Sequence, residues 1–390
     1  MLARVSVLVA ASLATPSAPA QTLTVLYAFT GGADGGYPLA GLVRTKAGSL
    51  YGTTEIGGNM TCFVLGCGTV FAVDATGSET VLYSFAGPPS DGEFPEARLV
   101  VDKAGNFYGT TNSGGANNAG TVFKVSQSGK ETVLYSFNFN GKDGFAPVAG
   151  LIRDAAGNLY GTTAEGGSYG NGTVFKVDSS GNETVLYSFA GYPADGAYPG
   201  AGLTADARGN LYGTTLGGGG SGLGTVFKLD PQDNETVLHS FTSGTDGAYP
   251  ASGLLPDAAG NLYGTAAQGG KGSCPGGCGV VFEVSKAGKE KVLYRFASQS
   301  DGQWPVGGLA MDAAGNLYGT TFGSGDYYGD LFKLDKRGHE TVLHNFSEPT
   351  DGAYPYGDLV RDPTGNLYGT TSYGGPNYYG TVFEVTPGKR

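Results

Sequence analysis

The sequence predicts an all-β fold: a seven-bladed β-propeller of four-stranded antiparallel blades, its ring closed by the N-terminal strand pairing in the last blade. Three observations carry this expectation. Four short strand-like segments recur in fixed order, and their period is near fifty residues. The series also opens with the one segment that its final repeat lacks.

The segment ending in Phe comes first. TVLYAF ends at Phe29 and ETVLYSF at Phe85, Phe137 and Phe189, with variants at Phe241, Phe296 and Phe346; the spacings are 56, 52, 52, 52, 55 and 50 residues. Repeats therefore start near residues 30, 86, 138, 190, 242, 297 and 347. A GLxxD-like segment follows around Leu42, Leu99, Leu151, Leu203, Leu254, Leu309 and Leu359. The third, GNLYGTT, puts Tyr at 51, 108, 160, 212, 263, 318 and 368, and the fourth, GTVFKV, puts Phe at 71, 123, 175, 227, 282, 332 and 383. All are rich in Val, Leu, Thr, Tyr and Phe and bounded by Gly, Asn or Asp, as strands are. No stretch has helical periodicity.

Four strands at this period fit a propeller blade better than a coil of a β-helix, whose repeats are shorter. The strand over residues 24–29 supplies what the last repeat is missing, which pairs edges that would otherwise be exposed. An open solenoid would need dissimilar capping repeats. Short turns such as Asp154–Asn158 and Asp178–Asn182 fall on one face of such a ring. The longer connections fall on the other, which makes that face the candidate binding surface.

Composition agrees. Gly is 71 of 390 residues, yet 12% aromatic and 40% hydrophobic content is enough apolar surface to order the chain. The net charge of −11, with no basic cluster, argues against nucleic acid as a partner. Arg4, the apolar run Val5–Ala14, Pro16 and Ala18-Pro19-Ala20 read as a signal peptide over residues 1–20, ahead of a single propeller domain over 21–390. About ten apolar residues are too few to span a bilayer, which needs ~20. No later segment is apolar enough to span, and no sorting or lipidation signal is recognisable at the C terminus, so secreted or periplasmic residence is expected.

Four cysteines suit an oxidising compartment. Cys62 with Cys67 and Cys274 with Cys278 read as two local disulfides. The alternative, one four-thiolate zinc site, needs the first and fifth repeats to meet.

The inter-blade loop carries Asp-Gly, then an aromatic and Pro, in nearly every copy. Asp34, Asp91, Asp195, Asp246, Asp301 and Asp351 recur with Tyr37, Phe94, Tyr198, Tyr249, Trp304 and Tyr354; the third copy departs as Asp143-Gly144-Phe145-Ala146-Pro147. One reading is a ring of carbohydrate subsites. The other is that Asp caps the turn and the aromatic packs between blades, and recurrence in every blade favours this architectural role. A catalytic centre should break the symmetry. Arg98 and Asp358 do so, standing where most repeats have Gly; they are candidates for an ion pair or a ligand contact, unless the substitutions have no consequence.

Other chemistry is sparse. His239 and His344 replace the Tyr of LYSF, His339 lies in a turn, and no two form a metal or acid–base pair by spacing. Asp326 and Asp330 match no calcium-loop pattern. GGGGSGLG over 217–224 contains G-x-G-x-x-G without a following helix. There is no GxSxG, and no catalytic residue, metal or other cofactor is expected. Tyr169, Tyr327, Tyr328, Tyr373, Tyr378 and Tyr379 occupy the long loops, where they serve either contact or packing.

With GNLYGTT, GTVFKV and ETVLYSF set out, the repeat resembles the GloVer tandem repeat of exported bacterial proteins, over nearly the whole chain after the leader. The resemblance implies a propeller-like fold and export, and no reaction. The expected function is a non-enzymatic binding or scaffold propeller with a glycan or protein ligand on the long-loop face. A propeller enzyme on extracellular glycans or lactones, or a structural envelope protein, are the alternatives. Oligomeric state is left open.

Overall fold

The computed structural model describes residues 21–386 apart from 61, 63, 299–300 and 324–327. The expected leader, Asp326 and Tyr327 lie outside the described residues. Seven four-stranded antiparallel sheets form the ring, and no helix occurs among the described residues. The third blade is representative, with Ile152–Arg153 innermost, then Leu159–Thr163, Thr173–Val177 and Glu183–Ser188 outermost. In the seventh blade, Val360–Arg361, Leu367–Thr371 and Thr381–Thr386 are completed by Thr22–Ala28, so the ring closes as the phase of the repeats predicts.

Phenylalanine rings hold neighbouring blades together. Phe189 at the end of one outer strand meets Phe227 of the next blade edge to face, with centroids 5.0 Å apart. The pairing recurs around the ring and crosses the seam as Phe29 on Phe71 at 4.9 Å. All these rings are fully buried. Edge-to-face pairs add about 0.5–1.5 kcal/mol beyond the burial itself. The Gly of GNLYG makes the space, because a Cβ on Gly161 would stand 2.7 Å from both Phe175 and Leu151.

Threonines satisfy the polar atoms between these layers. Thr163 and Thr173 share a hydroxyl hydrogen bond at 2.8 Å. Thr162 donates to the carbonyl of Ala201 in the next blade, and Thr370 does the same across the seam to Ala40 at 3.0 Å. In the fifth blade the Thr pair is replaced at both positions at once, by Ala266 and Val280, so no hydroxyl is left without a partner. Both expected disulfides are present, with Cα separations of 5.5 Å for Cys62–Cys67 and 5.0 Å for Cys274–Cys278. No helix of the described residues is long and apolar enough to cross a membrane.

Candidate functional site: the channel mouth on the long-loop face

The recurring Asp residues are engaged within their own loops. Asp195 Oδ2 accepts from the Tyr187 hydroxyl at 2.9 Å and from the Ala190 amide at 2.6 Å, while Oδ1 accepts from the Gly196 amide. Asp91 repeats all three bonds, and Asp34 and Asp301 repeat those from the tyrosine and the following amide. Where His replaces Tyr, His344 Nε2 lies 2.7 Å from Asp351 and His239 Nε2 3.4 Å from Asp246. Burial, and then the bond to Asp195, pushes the Tyr187 phenol well above its ordinary range. These carboxylates therefore fix the turn and anchor the outer strand.

The residue before each proline adopts a left-handed backbone, with φ of 55° at Tyr37, 59° at Tyr198 and 57° at both Trp304 and Tyr354. Few non-glycine residues tolerate this. It is held from both sides: the Tyr198 amide donates to Asn171 and its carbonyl accepts from Leu216. The following Pro199 seats on Gly172, where a Cβ would stand 2.6 Å from the proline Cδ. At Tyr198 and Tyr249 the ring is left exposed. Ala146 takes the same φ region in the third blade without a ring.

Inside this circle of loops the innermost strands of all seven blades line an axial cavity of about 610 Å3. Its wall is mainly Gly, Ala, Val and Leu. The residues after each proline form the upper ring: Leu39, Glu96, Val148, Gly200, Ala251, Val306 and Tyr356. Glu96, Arg98, Tyr356 and Asp358 gather where the second and seventh blades flank the first, while Arg153, Thr204 and Ser252 stand elsewhere on the wall. Arg98 of the second blade reaches past the first, where Gly41 offers no side chain, to within 3.9 Å of Asp358 of the seventh. Asp358 is held in turn by the Gly308 amide at 2.8 Å.

Above this pair, Asn112 donates to Glu96 Oε1 at 2.9 Å. Burial raises the Glu96 carboxyl, against the bond from Asn112. Glu55, the residue after GTT in the first blade, is raised to about 6 by burial and then by the charge of Glu96. Enclosure, and then Glu96, raises the Tyr356 phenol.

A strip of aromatic rings leads to this corner. Tyr356 meets Phe322 at 6.3 Å, Phe322 stacks on Tyr354 at 4.8 Å, and Tyr354 continues to Tyr373, Tyr37 and Tyr379 at 6.3, 6.1 and 5.8 Å. Tyr328 and Tyr378 flank it. Of the candidates from sequence, the structure brings together Arg98 and Asp358 on the cavity wall and puts Tyr354 in the aromatic strip, whereas Asp34, Asp91, Asp195, Asp246, Asp301, Asp351 and Trp304 do not line the cavity. Glu55, Glu96, Phe322 and Tyr356 escape notice in a reading by motif. Their signal lies in the columns: Glu96 stands among apolar residues after Pro, and Glu55 stands where other repeats have Asn112, Ala164, Leu216, Ala267, Phe322 and Ser372.

Comparison with known proteins places this architecture. Two extracellular domains of hybrid two-component systems of B. thetaiotaomicron superpose with TM-scores of 0.60 and 0.59 at 10% and 11% identity, over 93% and 94% of this chain. This chain spans about two fifths of their length, 39% and 41%. A protein described as a 6-phosphogluconolactonase from Bacteroides uniformis superposes with a TM-score of 0.50 at 15% identity, over 85% of this chain and 89% of its own. At such identities the likeness concerns the fold alone. No curated protein matches in sequence. Matches over residues 14–153, 60–276 and 224–390 cover nearly the whole sequence, and the chain belongs to the Gloeobacter/Verrucomicrobia repeat family.

Proposed function

We propose that this is an exported, non-catalytic carbohydrate-binding propeller whose ligand lies across the long-loop face at the channel mouth. The observation that carries this reading is the strip from Tyr379 to Tyr356, which ends where Glu96, Arg98 and Asp358 face the cavity. Aromatic faces receive the CH faces of sugar rings, and the polar groups at the end of the strip accept and donate to hydroxyls. Two disulfides and the extracellular neighbours support export.

A glycan array followed by calorimetric titration tests the reading. A hit that weakens at least tenfold in Tyr356→Ala supports it, and no hit on any neutral or charged glycan sinks it. A second reading, cleavage of a glycan or lactone, draws on the raised carboxyl of Glu55 next to Glu96, since acid–base work needs such a group. Release of product from an array hit, abolished in Glu55→Gln, would favour this second reading over the first.

A further inference from the structure

Every inter-blade loop carries an Asp-Gly step, and the third loop alone sets an Asn-Gly step ahead of it, in Asn140-Gly141-Lys142-Asp143-Gly144. The sequence holds one other Asn-Gly step, Asn171-Gly172, between the second and third strands of the third blade. An Asn followed by Gly can modify itself, because the small neighbour lets its own backbone nitrogen reach the side-chain amide. The outcome depends on the freedom of that nitrogen, and the fold treats the two steps in opposite ways.

At the first step both groups are ready. Asn140 and Gly141 are exposed, and a Cβ on Gly141 would meet nothing within 4 Å, so the peptide between them has room to turn. The Gly141 amide has no hydrogen-bond acceptor among the described residues. Asn140 Oδ1 accepts from the Lys142 amide at 2.9 Å and from the Asp143 amide at 2.8 Å. Those donors sit where negative charge develops when Cγ is attacked, the arrangement that stabilises such an intermediate. At the second step the Gly172 amide donates to the Gly166 carbonyl at 3.1 Å, and the Asn171 carbonyl accepts from Tyr198. A Cβ on Gly172 would collide with the Thr163 carbonyl. This nitrogen is occupied, and its peptide cannot turn without breaking those bonds.

We infer that Asn140-Gly141 is a self-modification site, converted in the folded protein to aspartate and isoaspartate, while the fold protects Asn171-Gly172. The Gly141 nitrogen attacks Asn140 Cγ. A C–N bond forms there, the bond from Cγ to Nδ2 breaks, and ammonia leaves with the Gly141 proton. The resulting cyclic succinimide takes up a water molecule from solvent, which opens it at either carbonyl. One opening leaves aspartate at position 140. The other leaves isoaspartate, which lengthens the main chain by one methylene.

The position gives the change a consequence. The buried Asp143 carboxylate accepts from the Tyr135 hydroxyl and from the Asn138 side chain, each at 2.8 Å, and so ties the loop to the outer strand of the second blade. Asn140 grips the Asp143 amide from the other side. A longer main chain cannot keep both grips. Phe139, 60% exposed and packed on Phe145, is the ring that this releases.

The test keeps the folded protein at mildly alkaline pH and maps its peptides over time by mass spectrometry, with fragmentation that distinguishes isoaspartate. The peptide with Asn140 should exchange amide for acid at least tenfold faster than the peptide with Asn171. In denaturant the two should convert at similar rates, because only the fold separates them. Asn140 left intact in the folded protein while the denatured chain converts would overturn the inference. Equal conversion of Asn171 in the folded protein would overturn it too. Aged protein should be cut by chymotrypsin after Phe139 several-fold faster than fresh protein, and faster than an equally aged Asn140→Ser variant, which keeps an acceptor oxygen and has no amide to lose. Equal cutting of all three would overturn the release of the loop.

Discussion

Stability should fall as the pH rises from about 5 to 8, because six glutamates sit at equivalent places on the outer strands. Glu79, Glu131, Glu183, Glu235, Glu290 and Glu340 each bury one carboxylate oxygen without a partner. Each also feels the Asp of an adjoining inter-blade loop, such as Asp143 beside Glu183. Burial first, and that neighbouring charge second, raise five of them to about 7 and Glu290 to about 6. A carboxyl that is easier to protonate folded than unfolded stabilises fully below its unfolded value near 4.5. That contribution is lost as the pH climbs through about 7.

Counting only half of each shift, for water at the strand edge, the folded ring holds roughly two more protons than the unfolded chain near pH 6. Unfolding then becomes easier by about 2.5 kcal/mol per pH unit there. Melting followed by calorimetry or circular dichroism from pH 5 to 8 should show a drop of several degrees per unit. Glu183→Gln should raise the melting temperature at pH 8 and leave it nearly unchanged at pH 5. A flat or rising profile, or a glutamine variant equally destabilised at both ends, would refute the reasoning. The seventh blade has Leu23 at this position, so the arrangement does not need the charge.

Four further outcomes are expected. Removing residues 21–29 should abolish cooperative unfolding, since Phe71 and the Thr381–Thr386 edge lose their partners; a parent-like transition would speak against the closed ring. Phe175→Ala should cost about 3–5 kcal/mol in denaturant melts, because the ring is fully buried between Phe137 and Gly161. Tyr83→Phe should cost about 1–2 kcal/mol by removing one of the donors to Asp91, and no measurable change would mean that loop water replaces the hydroxyl. Reducing both disulfides should lower stability by no more than roughly 2 kcal/mol each, since they close loops of five and four residues, so the melt should stay cooperative in reductant.

The scaffold was legible because each strand type is written seven times, so a departure in one copy, such as HIS-for-TYR at 239, could not obscure the pattern. The closing strand was legible for the same reason: a lone TVLYAF has only one vacancy to fill. The role of the loop Asp could be ranked but not assigned, since a turn cap and a sugar ligand demand the same residue type. Only the bond from Tyr187 to Asp195 shows which atoms are used. The channel corner was illegible for a different reason. Glu55 and Glu96 stand 41 positions apart and belong to no motif, and Tyr356 comes from the far end of the chain. The approach of Tyr356 to Glu96 is a product of ring closure, which brings the first two blades beside the last.

The seam has a consequence for how the molecule is made. Thr22–Ala28 leave the ribosome before any of their partners, and their hydrogen-bonding companion, Thr381–Thr386, is synthesised near the end. Every other outer strand can zip onto the strand made just before it. This one must wait, extended and apolar, through the production of the entire ring. The blades can collapse locally and early, but the final latch is a long-range event set by the slow search of two distant segments. Anything that occupies the waiting strand, whether an export chaperone or the same strand of another chain, therefore governs whether the product is a closed monomer or an interlinked pair.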